Sequence, residues 1–331
     1  MHPAVVGHRI TVDNLNAATG GDAVEDDPDS PVEAFEQSML TIKAPQIRDN
    51  MAQDAWRRPV SRLFSENDNV VLYFEIPYAR VISPVGSNID GTSSGKKYVV
   101  YEVEIRQVTS DPNPAPTVIK RRYTHFLKLY DDLRKKHALL MQGINFPKKV
   151  LVGNFSGELI GERSEAFENL LDYIVTVPSL RDSEHFLEFL QGDELNKACQ
   201  LLDERRNEFA VPILENTFRV LNKIFLDKSM CVLLLLCRLV AACTTSPIPH
   251  PLAEQWAELA LRRYEHVCDA DLLVLYIPLL QTCLHLWWQR GRDRTLLEER
   301  LDQIAKKGIK VKGGPTLTQA IHALDPRAET T

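Results

Sequence analysis

The spacing of apolar residues changes near residue 124, and that change orders the chain into a sheet followed by helices. Upstream, Tyr98 to Val108 alternates apolar and polar residues, as a half-buried strand does. Val70 to Ile76 is rich in β-branched and aromatic residues, and Thr117 to Tyr123 reads as a third strand. The polar loop from Ser83 to Lys97 separates the first two, and the turn from Asp111 to Pro116 separates the last two. Residues 69–123 therefore predict a three-stranded antiparallel meander. Downstream, Phe126, Leu129, Tyr130 and Leu133 fall at i, i+3, i+4 and i+7, one face of a helix beginning near Thr124.

A second helix carries Phe167, Leu170, Leu171 and Ile174 on one face and stops before Pro178. A short helix follows Ser183, a suitable N-cap. From residue 194 the pattern is helical throughout, in segments near 194–207, 211–226, 229–244, 250–267, 270–290 and 294–308. Short connections between them predict antiparallel hairpins. The fold class expected is an α+β domain, a three-stranded antiparallel sheet plus helices, followed by an all-α helical-hairpin domain. The chain divides as 1–66, acidic and disordered; 67–193, sheet and helices; 194–312, helical hairpins; and 313–331, a flexible tail.

The disordered assignment follows from composition. Residues 1–40 carry a net charge of −7, and the segment is poor in aromatics, so it buries too little apolar surface to offset its ordering entropy. The whole chain carries −6, which by itself disfavours an anionic partner. The total is a cancellation, because residues 118–149 carry +7. A patch of that sign attracts anions whatever the net charge.

Six cysteines (Cys199, Cys231, Cys237, Cys243, Cys268 and Cys283) lie among apolar residues with no C-x-x-C pair, which predicts buried reduced thiols. The first residues lack a basic start followed by an apolar stretch, so no signal peptide is expected. The apolar runs Cys231–Cys243 and Leu272–Trp288 are too short or too interrupted to span a bilayer, and any membrane association should be peripheral.

No enzyme class fits. Gly91 to Lys96 has three residues between its glycines instead of four, and Lys97 stands where a P-loop needs a hydroxyl for Mg²⁺. No Ser/His/Asp or His/Glu metal constellation emerges, and neither cofactor nor metal is called for. Nucleic acid is not an expected partner either, since Tyr123 is the only aromatic beside the arginines.

The informative stretch is Lys120 to Phe126 at the strand-to-helix junction, followed by Phe146-Pro-Lys-Lys149 and then Arg163. Phosphates are gripped by planar bidentate donors, which Arg supplies. An aromatic can stack under a sugar ring, and Lys supplies a point charge. In this combination and order the chain resembles the PX (phox-homology) domain of the sorting nexins over about residues 68–195. The resemblance implies binding of phosphatidylinositol 3-phosphate. Arg122 would clasp the 3-phosphate, Tyr123 would lie under the inositol ring, Lys149 would face the 1-phosphate, and Arg163 would bond the 4- and 5-hydroxyls. Arg121 should point away, because successive strand residues face opposite sides. Val150, Leu151, Val152 and Phe155 would enter the membrane.

The helices after residue 194 are similar to the PX-associated, tetratricopeptide-like domain of a small sorting-nexin subgroup, which implies a protein cargo or regulator as partner. Pro212, Pro247, Pro249, Pro251 and Pro278 interrupt the chain too often for the long helices of a BAR domain. The implied function is a peripheral adaptor on the cytosolic face of early endosomes, acting in trafficking. The alternative is a scaffold that binds anionic or bis-phosphorylated inositides, such as phosphatidylinositol 4,5-bisphosphate, without 3-phosphate selectivity.

Overall fold

The computed structural model describes residues 72–83, 97–107, 117–150, 153–225, 229–245, 248–264 and 270–325. The acidic segment 1–66, the glycine-containing stretch 84–96, Leu151, Val152 and Cys268 lie outside the described residues.

Three strands form the expected antiparallel meander: β1 (Leu72–Ile82), β2 (Tyr98–Gln107) and β3 (Thr117–Arg122), in the order β1-β2-β3. β1 runs on past the predicted Ile76 to Ile82. Pro77 lacks an N–H, and the ladder accommodates it with a bulge in which Ile76 and Pro77 stand opposite Val103 alone.

Helix side chains bond to backbone groups on both sheet edges. On β1, the N–H groups of Phe74 and Ile76 donate to Asp172 Oδ1 (2.8 Å) and Glu168 Oε1 of helix α2 (Gly157–Thr176). On β3, Val118 O accepts from Asn216 Nδ2 (2.9 Å) of α5 (Asn207–Ile224). Each such bond occupies an edge group that is otherwise open to intermolecular pairing.

Helix α1 (Tyr123–Lys136) begins directly after β3 and buries Phe126, Leu129 and Leu133. α2 buries Phe167, Leu170, Leu171 and Ile174, the face read from the sequence. Between these helices Phe126 and Phe167 stack at 3.8 Å, and Tyr101 of β2 meets both rings edge-on. This aromatic block fixes the junction of β3 and α1 relative to α2.

The four-residue α3 (Pro178–Arg181) leads into α4 (Glu184–Asp203), capped by Ser183 Oγ, which accepts from Phe186 N–H at 3.2 Å. The sequence reading splits α4 into a short helix and a second one from 194. The structure has one continuous helix of 20 residues. A lone glycine, Gly192, costs about 1 kcal/mol in a helix interior but does not end it. The predicted boundary at 193/194 thus falls inside α4, and one buried cluster runs from Leu72 to Leu324.

Next come α6 (Met230–Thr244), α7 (Ala253–Tyr264), α8 (Ala270–Gln289) and α9 (Thr295–Lys306). They pair with α4 and α5 as three hairpins, α4–α5, α6–α7 and α8–α9. Within the stretch expected to be a flexible tail, 313–331, the described residues include a further helix. Residues Leu317–Leu324 form α10, opened by a capping box in which Thr316 Oγ1 accepts from Gln319 N–H and Gln319 Oε1 accepts from Thr316 N–H. Leu317, Ala320, Ile321 and Leu324 are buried, which is what holds so short a helix.

Cys199, Cys231, Cys237, Cys243 and Cys283 are buried, reduced thiols. Burial pushes Cys231 up to about 11 and Cys237 and Cys243 up to about 12, so none of these three is a nucleophile at neutral pH. Among the described residues no helix is long and apolar enough to cross a membrane.

Candidate functional site

β3 alternates as its pleat requires: Thr117, Ile119 and Arg121 face inward, and Lys120 and Arg122 outward. Arg121 is 2% exposed and wholly engaged inside. Its Nε donates to Phe189 O at 2.7 Å, and its two terminal nitrogens donate to the two carboxylate oxygens of Glu194 at 2.7 Å each. It is therefore a structural arginine, as its strand position predicts.

Arg122 is exposed, and its guanidinium carbon lies 3.5 Å from the centroid of the Tyr98 ring on β2. Register explains the contact, since Arg122 pairs with Val100 and Tyr98 is the next residue on the same face.

Tyr123 turns the chain from strand to helix. Its ring packs against Phe146 and Phe167, and its hydroxyl donates to Pro147 O at 2.8 Å. Tyr130, two turns along α1, donates to Ile144 O at 3.2 Å and stacks on Phe146. Two tyrosines of one helix thus hold the segment from Ile144 to Pro147. They leave Lys148 and Lys149 exposed beyond it.

Arg163 approaches the same segment from α2. It is 3% exposed, its guanidinium carbon lies 4.5 Å from the Tyr123 ring centroid, and Nη2 donates to Asn154 Oδ1 (3.1 Å) and Lys148 O (3.4 Å). Asn154 in turn donates from Nδ2 to Val150 O at 2.7 Å, and Gly153 before it takes φ +82°, a conformation that favours glycine. The buried Arg163 Nε and Tyr101 hydroxyl make no well-aligned hydrogen bond to the described residues, and the Tyr101 hydroxyl and the Arg163 guanidinium lie close enough to interact with each other. Burial raises the Tyr101 pKa, and the charge of Arg163 opposes that rise.

Of the four pocket residues predicted, Tyr123 and Arg163 are in direct contact, and both bond to the segment that carries Lys149. Arg122 borders this group with its guanidinium over Tyr98. Of the four membrane residues, Phe155 is 46% exposed and Val150 half-buried, while Leu151 and Val152 lie outside the described residues. Sequence reasoning missed Tyr98 and Asn154. The first follows from the strand register. The second has only a neighbouring glycine as its signal.

Residues 112–193 match the family described as PX domain. The chain carries a PX domain. It is homologous to the sorting nexins over most of its length. It is 27% identical to human sorting nexin-21 over 276 residues, 83% of this chain and 69% of that protein. It is 27% identical to bovine sorting nexin-20 over 317 residues, 94% of each. Sorting nexin-15 of mouse matches 123 residues at 29% identity, 35% of this chain and 36% of that protein. A designed CISK-PX domain of known structure is 22% identical, with a TM-score of 0.28, covering 36% of this chain and 97% of that one. The match to the PX domain ends at Asp193, inside α4, so the last helix of the PX domain is also the first helix of the hairpins.

Proposed function

We propose that the chain is a peripheral membrane adaptor whose PX domain binds phosphatidylinositol 3-phosphate on the cytosolic face of early endosomes and whose helical hairpins recruit a protein cargo or regulator. Arg122 takes the 3-phosphate, Tyr123 lies under the inositol ring, Lys149 faces the 1-phosphate and Arg163 bonds the 4- and 5-hydroxyls. Val150, Leu151, Val152 and Phe155 enter the bilayer beside the pocket. The observation that carries the reading is the corner itself: Arg163 packs on Tyr123 and donates to the segment that presents Lys149.

Electrostatics supports membrane attraction but not selectivity. A basic residue near an anionic leaflet contributes about 1 kcal/mol, so the +7 window adheres to any anionic surface. Selectivity must come from the pocket. A flotation assay with the full chain and liposomes carrying each phosphoinositide in turn tests this. Preferential binding to phosphatidylinositol 3-phosphate supports the reading. Equal binding to every anionic lipid, or a preference for phosphatidylinositol 4,5-bisphosphate, contradicts it.

A further inference from the structure

The helical hairpins already hold a ligand-like helix on one face. α4, α6 and α8 are the first helices of three successive hairpins, and α6 packs against α8. α10 does not extend the stack from α9. It returns and lies on α6 and α8. Thr318 and Ile321 of α10 also share a cleft with Cys199 and Leu202 of α4. α10 therefore occupies the face that all three first helices contribute to.

The fit is that of an amphipathic helix in a groove. Leu317, Ala320, Ile321 and Leu324 stand at i, i+3, i+4 and i+7, and all are buried. Open space remains on both flanks, a cleft of about 150 Å³ on the α4 side and one of about 420 Å³ towards α8. The tether has its own swivel. Gly313 takes φ +72° and is followed by Gly314 and Pro315. Just upstream, Val311 O accepts from Gln281 Nε2 of α8. The anchored part thus ends where the glycines begin.

Charge marks the far end. Arg238 is buried in the otherwise apolar α6, and its Nη2 donates to Asp325 Oδ2 at 2.9 Å, the residue directly after α10. Its Nη1 donates to Cys199 Sγ at 3.0 Å. Removing α10 takes the carboxylate from a buried guanidinium, which is strongly unfavourable unless another carboxylate replaces it.

We infer that α10 is a displaceable, built-in occupant of a helix-binding groove on α4, α6 and α8. The partner it stands in for is an amphipathic helix with apolar residues at i, i+3, i+4 and i+7 followed directly by a carboxylate. The inference rests on the reading that the hairpins recruit protein, and it names the chemistry of that protein and the segment that keeps the groove closed.

The test uses the full chain with a protease site inserted between Gly313 and Gly314, and a fluorescent peptide of residues 314–327. Before cleavage the peptide should not bind. After cleavage the resident α10 should leave on gel filtration and the peptide should bind, with the Asp325→Ala peptide about a hundred-fold weaker or more. In the uncut chain, hydrogen exchange should show α10 opening while α6 stays protected. A fragment that never exchanges, a cleaved chain that unfolds, equal binding of the two peptides, or α10 and α6 opening together would each overturn the inference. So would a dimer in which α10 is swapped between copies. Unrelated amphipathic peptides without the acidic end separate it from the recruitment reading. Their binding in place of the α10 peptide overturns only the inference, and binding of no peptide to the opened groove overturns both.

Discussion

Arg121 of β3 and Glu194 of α4 form a bidentate ion pair, with both N–O distances 2.7 Å and the arginine 2% exposed. The pair sits one residue from Arg122 and ties β3 to the helix that opens the hairpins.

Breaking that pair should be costly. Removing one partner of a buried ion pair typically costs about 3–5 kcal/mol. Arg121→Ala should lower the midpoint of chemical denaturation accordingly, and Glu194→Ala should approach it. A change under about 1 kcal/mol, the range of surface pairs, would show that the link is dispensable.

The hydroxyl of Tyr123 should matter less for stability than for the pocket. Tyr123→Phe removes the bond to Pro147 O, worth about 1 kcal/mol net. The ring stays packed on Phe146 and Phe167, so the fold should persist while the segment carrying Lys149 loosens. Weaker liposome binding with a nearly unchanged melting profile is the expected outcome, measured by flotation and calorimetry on the same sample.

His125 gives the protein a stability that falls on acidification. Burial holds its imidazole below the usual 6.5, and Arg121 and Arg122 push the same way, against the opposing effect of Asp193 3.3 Å away. The folded pKa thus lies below the unfolded one, and the unfolded chain takes up the proton first as pH falls. Stability is full above about pH 6.5 and declines as pH drops from there towards the folded pKa. Melting temperature measured from about pH 7.5 downward should show that decline, and His125→Gln should flatten it.

Phe155 is the test of membrane entry. Its ring is 46% exposed at the start of the turn into α2, so Phe155→Ser should leave the melting temperature in place. Burying a phenylalanine contributes about 1.5–3 kcal/mol, so vesicle partitioning should fall by about ten-fold or more. Unchanged partitioning would take Phe155 out of the interface.

Particular residues show what the sequence made legible. The period-two pattern of β2 and the helical spacing of Phe126 to Leu133 gave the meander, the start of α1 and the inward turn of Arg121, because each depends only on local geometry. Ser183 was readable as a cap for the same reason. The continuity of α4 through Gly192 was not legible, because it rests on a tertiary contact, Glu194 bonded to Arg121. α10 was hidden because eight residues have no stability of their own. Its signal lies elsewhere in the chain, in the charge of Arg238 among the leucines of α6, which needed a partner. At the site, the side-chain types were legible, whereas the packing of Arg163 on Tyr123 and the contact of Arg122 with Tyr98 depend on how α2 and β2 come together.

The most direct measurement of the central claim is binding of Arg122→Ala to liposomes containing phosphatidylinositol 3-phosphate, read beside its melting temperature. Arg122 is exposed and outside the core, so the melting temperature should hold while lipid-specific binding is lost. Binding retained at the level of the unmodified chain would contradict the pocket.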